Sequence, residues 1–211
     1  MKSDIPKQFI CLVETPILMR TISVFKDFDK DLNIVLVLPK EEIITWQKLC
    51  EEYSFTENLT IAEGGATRFY SVKNGLDKIH DSEGLIAVHD AVRPLITKDV
   101  IERIFNCAEK NGAAIPCVHP HDSIRILKND STEPLNRDHI YFVQTPQCFQ
   151  GSLLKKAYLQ PYSDSFTDDA TVVENLGEKI SIVEGSRENF KITMPEDLIL
   201  AEALLKMRIE K

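Results

Sequence analysis

The most informative segment of the chain is Gly84-Leu85-Ile86-Ala87-Val88-His89-Asp90-Ala91-Val92-Arg93-Pro94. Its first half is a continuous apolar run, which predicts a strand buried in a parallel sheet. Its second half places the carboxylate of Asp90 and the guanidinium of Arg93 just beyond the carboxyl end of that strand. Open α/β sheets bind their ligands at this edge. An Asp–Arg pair can also simply tie down a strand end, so the stretch alone leaves both interpretations open.

Strands and helices are predicted to alternate along most of the chain around this stretch. The strands are predicted at 33–38, 59–62, 85–88, 113–118, 141–144, 180–184 and 190–192. Helices are predicted at 41–52, 68–79, 97–110 and 152–159, and the capping-box pattern of Thr193 and Glu196 starts a last one. This order predicts an α/β fold, with a mostly parallel sheet and helices on both faces, in one domain over 1–211.

The regular pattern breaks between Ser123 and Arg137. Residues 124–127 alternate as in a strand, and residues 128–132 have the composition of a turn. We therefore expect a projecting β-arm at about 122–140. A short exposed hairpin is only marginally stable by itself, so a partner subunit is expected to cover it, although a solvent-exposed excursion is the alternative.

Composition excludes several classes of protein. The formal net charge of −8 argues against broad binding to nucleic acid, while a few local cations and Mg²⁺ can still hold a nucleotide. No apolar stretch approaches the roughly 18 residues of a membrane span, and no signal peptide is recognisable. The five cysteines are scattered without a CxxC pair, so we expect reduced thiols in a cytoplasmic protein without a membrane partner.

Several residues suit the handling of phosphate groups. Lys7 lies in a short loop, and Lys191 lies inside an apolar run where a lysine needs a partner or must reach solvent. Gly64 and Gly65 let a ligand approach the backbone closely, and Ser71 follows one turn into the next helix. Asp90 could bind Mg²⁺ or a substrate hydroxyl, Arg93 could bind a phosphate, and the hydroxyl of Thr145 is predicted at the same sheet edge.

These residues belong to a longer ordered set of motifs. The set comprises PKQF (6–9), GGATR (64–68), SVKNGL (71–76), VHDAVRP (88–94), QTPQ (144–147), FTDDA (166–170), EG (184–185), NFKIT (189–193) and PEDL (195–198). With it the chain closely resembles the 2-C-methyl-D-erythritol 4-phosphate cytidylyltransferases of non-mevalonate isoprenoid synthesis. The resemblance implies a Rossmann-like nucleotidyltransferase that joins CTP to methylerythritol phosphate with the help of Mg²⁺ and releases pyrophosphate.

The resemblance also implies a role for each candidate residue. Lys7 would stabilise charge on the α-phosphate, and Arg137 would reach the neighbouring subunit of a homodimer from the arm, which also carries Ser123. Cytosine and ribose would lie against Gly64, Gly65, Ala66, Ser71 and Ala91. The methylerythritol phosphate would be held by Asp90, Arg93, Thr167 and Lys191, with Ser123 and Thr145 also in the substrate site and Asp90 as the metal ligand.

Two departures from the family pattern are visible. Family members begin with an apolar strand and a glycine-rich loop carrying an arginine, a segment of roughly 15 to 20 residues. Because this chain starts at Met1 just before the PKQF motif, we expect that the recorded sequence lacks that segment and that two neighbouring strands are left unpaired. Glu14-Thr15-Pro16 stands where glycine-lysine-proline is more usual.

Three alternatives to this cytidylyltransferase function differ in how well the sequence supports them. A ribitol-5-phosphate cytidylyltransferase has the same fold and reaction, although the segments 122–125 and 166–174 are more similar to the methylerythritol enzymes. A nucleotide-binding protein impaired in catalysis is a second alternative, because loss of a phosphate loop would produce one. A dinucleotide-dependent oxidoreductase is disfavoured, since no GxGxxG motif follows a predicted strand.

Overall fold

A computed structural model describes residues 5–209, in which helices and strands alternate. The helices in this part of the chain are α1 (Ile17–Phe28), α2 (Ile43–Glu52), α3 (Arg68–Leu76), α4 (Lys98–Asn111), α5 (Gly151–Ala157), α6 (Asp169–Glu174) and α7 (Pro195–Ile209). The strands are β1 (Cys11–Leu12), β2 (Thr15–Pro16), β3 (Val35–Leu38), β4 (Thr60–Glu63), β5 (Leu85–Val88), β6 (Ala113–Val118), β7 (Ile124–Lys128), β8 (Ser131–Leu135), β9 (Phe142–Val143), β10 (Gln147–Gln150) and β11 (Ser181–Glu184). No helix in the described range is both long and apolar enough to cross a membrane.

The main sheet has the strand order β11-β6-β10-β5, with β9 also pairing with β6. Strands β5, β6 and β11 run in one direction, whereas β9 and β10 run against β6. The expectation of a mostly parallel sheet is therefore corrected to a mixed sheet within an α/β fold. After β6 the chain forms the arm and then pairs with β6 again as β9, with no crossover helix between them. Two strands joined without a crossover connection can only be antiparallel.

Strands β3 and β4 form a separate parallel pair, with Val35 opposite Thr60 and Leu38 opposite Glu63. Among residues 5–209, β3 pairs only with β4, and β5 pairs only with β10. Each of these two strands therefore has one edge without a partner strand in the described part of the chain.

Apolar clusters lie on both faces of the main sheet. Adjacent residues of β10 show this, because Phe149 packs with Leu154 and Tyr158 on one face and Cys148 packs with Ile104 on the other. Side chains alternate between the faces of a strand, so β10 contributes to both cores. The predicted layering of helices on both faces is confirmed.

The predicted hairpin is formed by β7 and β8, which pair from Ile124 with Leu135 to Lys128 with Ser131. Asn129 adopts a positive φ of 50° in its turn. Nearly every hairpin residue is exposed, including the apolar side chain of Leu127 at 72%. The hairpin therefore presents apolar surface that residues 5–209 do not cover.

Two local expectations near the carboxyl end are wrong. Residues 190–192 do not form a strand; instead the Ile192 N–H donates to the carbonyl of Val92. The carboxylate that accepts from Thr193 at the start of α7 is Asp197, not Glu196, and its Oδ2 also accepts from the Met194 N–H. An aspartate four residues on reaches the same free amides that a capping-box glutamate would satisfy.

The turn between β1 and β2 is strained. Val13 and Glu14 have φ angles of 49° and 63°, and Arg20 holds the turn by donating to the carbonyls of Leu12 and Val13. A left-handed conformation is unfavourable for a residue with a Cβ and readily adopted by glycine. The structure thus explains why glycine is the more usual residue at position 14.

Replacing Glu14 by glycine is expected to raise the free energy of unfolding by about 0.5–1 kcal/mol, because the strain at this φ is removed. Urea unfolding of the wild type and the variant measures the change. Glu57→Gly, at an exposed loop position without positive φ, is the matched control and should not stabilise. A Glu14→Gly variant no more stable than wild type would show that the turn carries no strain.

Candidate active site

The candidate site centres on Asp90 at the carboxyl end of β5. Its Oδ2 lies 3.0 Å from Arg93 Nε and 3.3 Å from Lys191 Nζ. Burial alone would raise the pKa of Asp90, but the charges of Lys191, Arg93 and Arg68 and the Arg93 hydrogen bond bring it below its ordinary value. The carboxylate therefore stays ionised, and two cations on one carboxylate leave positive charge at this edge. Lys191, with 47% of its side chain exposed, can present its ammonium to an anion.

The segment 189–192 brings Lys191 to Asp90 across a hundred residues of chain. Arg93 Nη1 donates to the Asn189 carbonyl at 2.8 Å, and the Ile192 N–H donates to Val92. The Asn189 side chain is fully buried and donates from Nδ2 to the Thr145 carbonyl at 2.9 Å. This segment is consequently fixed against both the Asp90 turn and the loop before β10.

Thr145 supports the site from beneath. Its Oγ1 accepts from the Asp90 N–H at 3.0 Å and lies 3.1 Å from His89 Nδ1. Only 5% of the residue is exposed. The Thr145 hydroxyl, predicted at this sheet edge, is therefore buried and engaged with the Asp90 turn.

The glycine loop lies between β4 and α3. The Gly64 N–H donates to Leu38 at the end of β3, and the Gly65 N–H donates to Ser71 Oγ at 3.0 Å. Thr67 caps α3 through its side chain, while Gly65 and Ala66 are exposed. The loop therefore presents accessible backbone at a helix N-terminus, an arrangement that suits a polar ligand.

Ala91 sits differently from the other candidates for the nucleotide site. Its carbonyl accepts from Thr21 Oγ1 at 2.8 Å, and the residue packs against the apolar cluster that contains Trp46. The Ala91 carbonyl is thus engaged within the protein, whereas no hydrogen bond of the described residues uses its N–H.

Alanine is expected to be tolerated by the fold at Gly64 but not at Gly65. A Cβ on Gly65 would lie 2.4 Å from Tyr70 Cβ and 2.8 Å from the Tyr70 carbonyl carbon, whereas one on Gly64 would make ordinary contacts. Gly65→Ala should cost about 1–3 kcal/mol of unfolding free energy, and Gly64→Ala should cost little. Thermal unfolding compares the two variants, and equal melting temperatures would contradict the expectation.

Arg68 joins the glycine loop to α6, a role that the sequence motif did not predict. It forms a two-bond pair with the fully buried Asp169, whose Oδ1 also accepts from the Tyr158 hydroxyl at 2.6 Å. Burial and the neighbouring Asp169 raise the pKa of Tyr158, so the phenol stays protonated. The exposed Thr167, just before the Asp168 cap of α6, is held near the glycine loop through this pair.

The remaining candidates lie outside this cluster. Lys7 lies in a short 3-10 turn. Burial alone would raise the pKa of Asp197 at the start of α7, but hydrogen bonds from Met194 and Thr193 and, as the smallest contribution, the charge of Lys7 bring that pKa below its ordinary value. Ser123 and Arg137 are exposed on the arm side, and Arg137 donates to the His121 carbonyl at 2.6 Å. Within residues 5–209, no hydrogen bond or ion pair joins Ser123 or Arg137 to the Asp90 cluster.

A protein-built metal centre does not fit these residues. The Asp90 carboxylate is already bound by two cations, and the described residues contain no group of three metal-ligating side chains. Mg²⁺ favours a carboxylate free to accept it, together with the oxygens of a substrate. The assignment of Asp90 as a metal ligand is therefore not supported by the geometry of this cluster.

Together the fold and the site define a nucleotidyltransferase of the α/β class, with a cationic cluster at the strand end and a glycine loop beside it. The family model of 2-C-methyl-D-erythritol 4-phosphate cytidylyltransferase (IspD) matches residues 1–207. The chain belongs to this family.

Relatives agree with that assignment. The enzyme of this name from Phocaeicola vulgatus is 46% identical over 205 residues, covering 97% of this chain and 93% of the relative. The crystal structure of 4-diphosphocytidyl-2C-methyl-D-erythritol synthase from Anaerococcus prevotii superposes with a TM-score of 0.83 at 28% identity, covering 94% and 93% of the two chains. The cytidylyltransferase from Thermus thermophilus gives a TM-score of 0.77 at 30% identity, covering 95% and 94%.

Proposed function

We propose that this chain transfers the cytidylyl group of CTP to 2-C-methyl-D-erythritol 4-phosphate and releases pyrophosphate, in non-mevalonate isoprenoid synthesis. The observation that carries the proposal is that Arg93 and Lys191 both pair with the largely buried carboxylate of Asp90 at the sheet edge. That cluster offers positive charge to a phosphate and a carboxylate to a sugar hydroxyl at one point, as a polyol phosphate requires.

The reaction is an in-line displacement at phosphorus. An oxygen of the methylerythritol phosphate forms a bond to the α-phosphorus of CTP, and the bond from that phosphorus to the pyrophosphate oxygen breaks. Catalysis of such a step depends on alignment and on positive charge around the transferring group. Lys7 and Lys191 are the proposed sources of that charge, with Lys7 on the α-phosphate.

Recognition is divided between the two sides of the site. On the acceptor side, Asp90, Arg93 and Thr167 hold the methylerythritol phosphate. On the donor side, the exposed backbone of the glycine loop and the hydroxyl of Ser71 receive cytosine and ribose. The residues proposed for this side are Gly64, Gly65, Ala66, Ser71 and, through its N–H, Ala91. The Arg68–Asp169 pair supports this division because it joins α3, at the glycine loop, to α6, which begins just after Thr167.

The active unit is proposed to be a homodimer formed through the arm of residues 122–140. Support comes from the exposed apolar side chains of the hairpin and from the absence of any described bond between Arg137 and the Asp90 cluster of its own chain. Arg137, with Ser123 on the same arm, would then complete the partner's site by holding the attacking phosphate.

A cytoplasmic location belongs to the same proposal. Its support is that all five cysteines are free thiols, the state expected in a reducing compartment.

Pyrophosphate release from CTP tests the proposed reaction, with methylerythritol phosphate and ribitol 5-phosphate compared as acceptors. Release with methylerythritol phosphate is expected, with little release from the ribitol compound. Preference for ribitol phosphate would move the chain to the sister activity. Binding of CTP without release from either acceptor would identify a nucleotide-binding protein impaired in catalysis.

A further inference from the structure

His89 has no role in the proposed reaction, yet it takes part in a chain of hydrogen bonds beside the Asp90 cluster. Its Nε2 lies 3.1 Å from the Arg93 carbonyl, and its Nδ1 lies 3.1 Å from Thr145 Oγ1. Thr145 Oγ1 in turn accepts from the Asp90 N–H. The imidazole therefore bridges the first and last residues of the turn that carries Asp90 and Arg93, and ties that turn to the loop before β10.

The partners of His89 determine where its proton lies. A carbonyl oxygen only accepts, so Nε2 must carry the hydrogen that it donates to Arg93. In a neutral ring, Nδ1 is then the acceptor, and the Thr145 hydroxyl donates to it. The proton directions form one continuous sequence, in which the Asp90 N–H donates to Thr145, Thr145 donates to His89, and His89 donates to Arg93.

The surroundings of the ring hold it in this place. Phe25 contacts the imidazole edge-on, with ring centroids 4.9 Å apart. The charged groups beside it are Asp90 and Arg93 on its own turn, whose side chains bond to each other through Arg93 Nε. The bridge thus lies directly beneath the carboxylate and the guanidinium proposed to hold the sugar phosphate.

We propose that His89 is a positioning residue for the acceptor substrate, because its Nε2–H tautomer, clamped between Thr145 and Arg93, sets the geometry of the Asp90–Arg93 pair. The inference rests on the proposed role of Asp90 and Arg93. Loss of the bridge would let the turn shift, and a misplacement of about 1 Å in a reacting group can cost roughly 100-fold in rate.

The first test is spectroscopic and needs no activity. In protein labelled with ¹⁵N-histidine at neutral pH, two-bond ¹H–¹⁵N correlations distinguish the two tautomers, and loss of a signal in His89→Gln assigns it. The expected result is a neutral ring protonated at Nε2. A ring protonated at Nδ1, or an imidazolium, would overturn the inference.

The second test separates positioning from folding. His89→Phe retains an aromatic ring against Phe25 but removes both hydrogen bonds, and is expected to lower kcat/KM for methylerythritol phosphate about 10- to 100-fold with little change in KM for CTP. His89→Gln keeps a donor toward Arg93 and should recover part of the loss. Equal losses for both substrates, or no recovery, would mean that the ring only fills space.

Two controls keep this test independent of the proposed function. Phe25→Leu removes the ring contact with His89 and none of its hydrogen bonds, so it should lower the melting temperature while leaving KM for methylerythritol phosphate unchanged. Asp90→Asn tests the underlying role. If Asp90→Asn lowers kcat/KM for the acceptor and His89→Phe does not, the inference fails alone. If Asp90→Asn has no effect on kcat/KM for the acceptor, the proposed acceptor site fails.

Discussion

Turnover of a Lys191→Ala variant is expected to fall by about 100- to 1000-fold, with a smaller change in KM for CTP. Lys191 places an ammonium 3.3 Å from Asp90 and leaves much of the side chain exposed to a ligand. Removal of one preorganised group that stabilises developing charge costs a loss of this size, equivalent to about 3–4 kcal/mol. Steady-state rates of pyrophosphate release with both substrates varied give the two constants.

Controls for this variant are available in the same chain. Lys179→Ala removes an exposed lysine away from the Asp90 cluster and should leave turnover unchanged. Among the charges that lower the pKa of Asp90, Lys191 has the largest effect, so that pKa should rise in Lys191→Ala. Arg93 still pairs with the carboxylate in this variant and should preserve the turn. Wild-type turnover in Lys191→Ala would remove the residue from the mechanism.

An Arg137→Ala variant is expected to lose about 100-fold in turnover and to be rescued by a partner chain. The residue lies on the exposed arm side and bonds to His121, not to the Asp90 cluster of its own chain. In a heterodimer of Arg137→Ala with Lys191→Ala, one site would combine an intact Lys191 with the intact Arg137 of the other chain. About half of the wild-type turnover per dimer should return.

Co-expression with two affinity tags, followed by purification on both, yields this heterodimer. Lys128→Ala, which removes another exposed cation from the same arm and its ion pair with Glu133, is the matched control and should retain turnover. An inactive Arg137→Ala chain that no partner rescues would place the residue in its own chain's site. A monomer at assay concentration would contradict the dimer itself.

Sequence reasoning predicted the elements whose cause is local. The apolar run before Asp90 became β5, Gly112 ends α4 at a positive φ of 86°, and the alternation at 124–127 became the β7–β8 hairpin. Each depends on neighbours a few residues away, on side-chain period, on the backbone freedom of glycine or on turn composition. Motif resemblance added the family, because its residues stand in the same order along nearly the whole chain.

Strand direction could not be predicted in the same way. Strand β10 contains Gln147 and Gln150, so its polar composition hides it, yet it runs antiparallel between β5 and β6 at the centre of the main sheet. Gln147 is buried there because its side chain bonds to Asp168 and to the Ala170 N–H at the start of α6. A buried amide satisfied by distant partners leaves no periodic signal in the sequence.

Inspection of the amino-acid sequence was therefore enough to name the chemical groups of the site: the carboxylate and guanidinium after β5, the lysine in NFKIT, the glycine pair and the arm. Which of these groups meet depends on the folded chain. It placed Lys191 on Asp90, turned Thr145 inward to the Asp90 N–H, and made His89 the bridge beneath the turn. No local pattern in the sequence could predict these contacts, because they join residues separated by 55 to 101 positions or link groups through a ring whose tautomer depends on those distant partners.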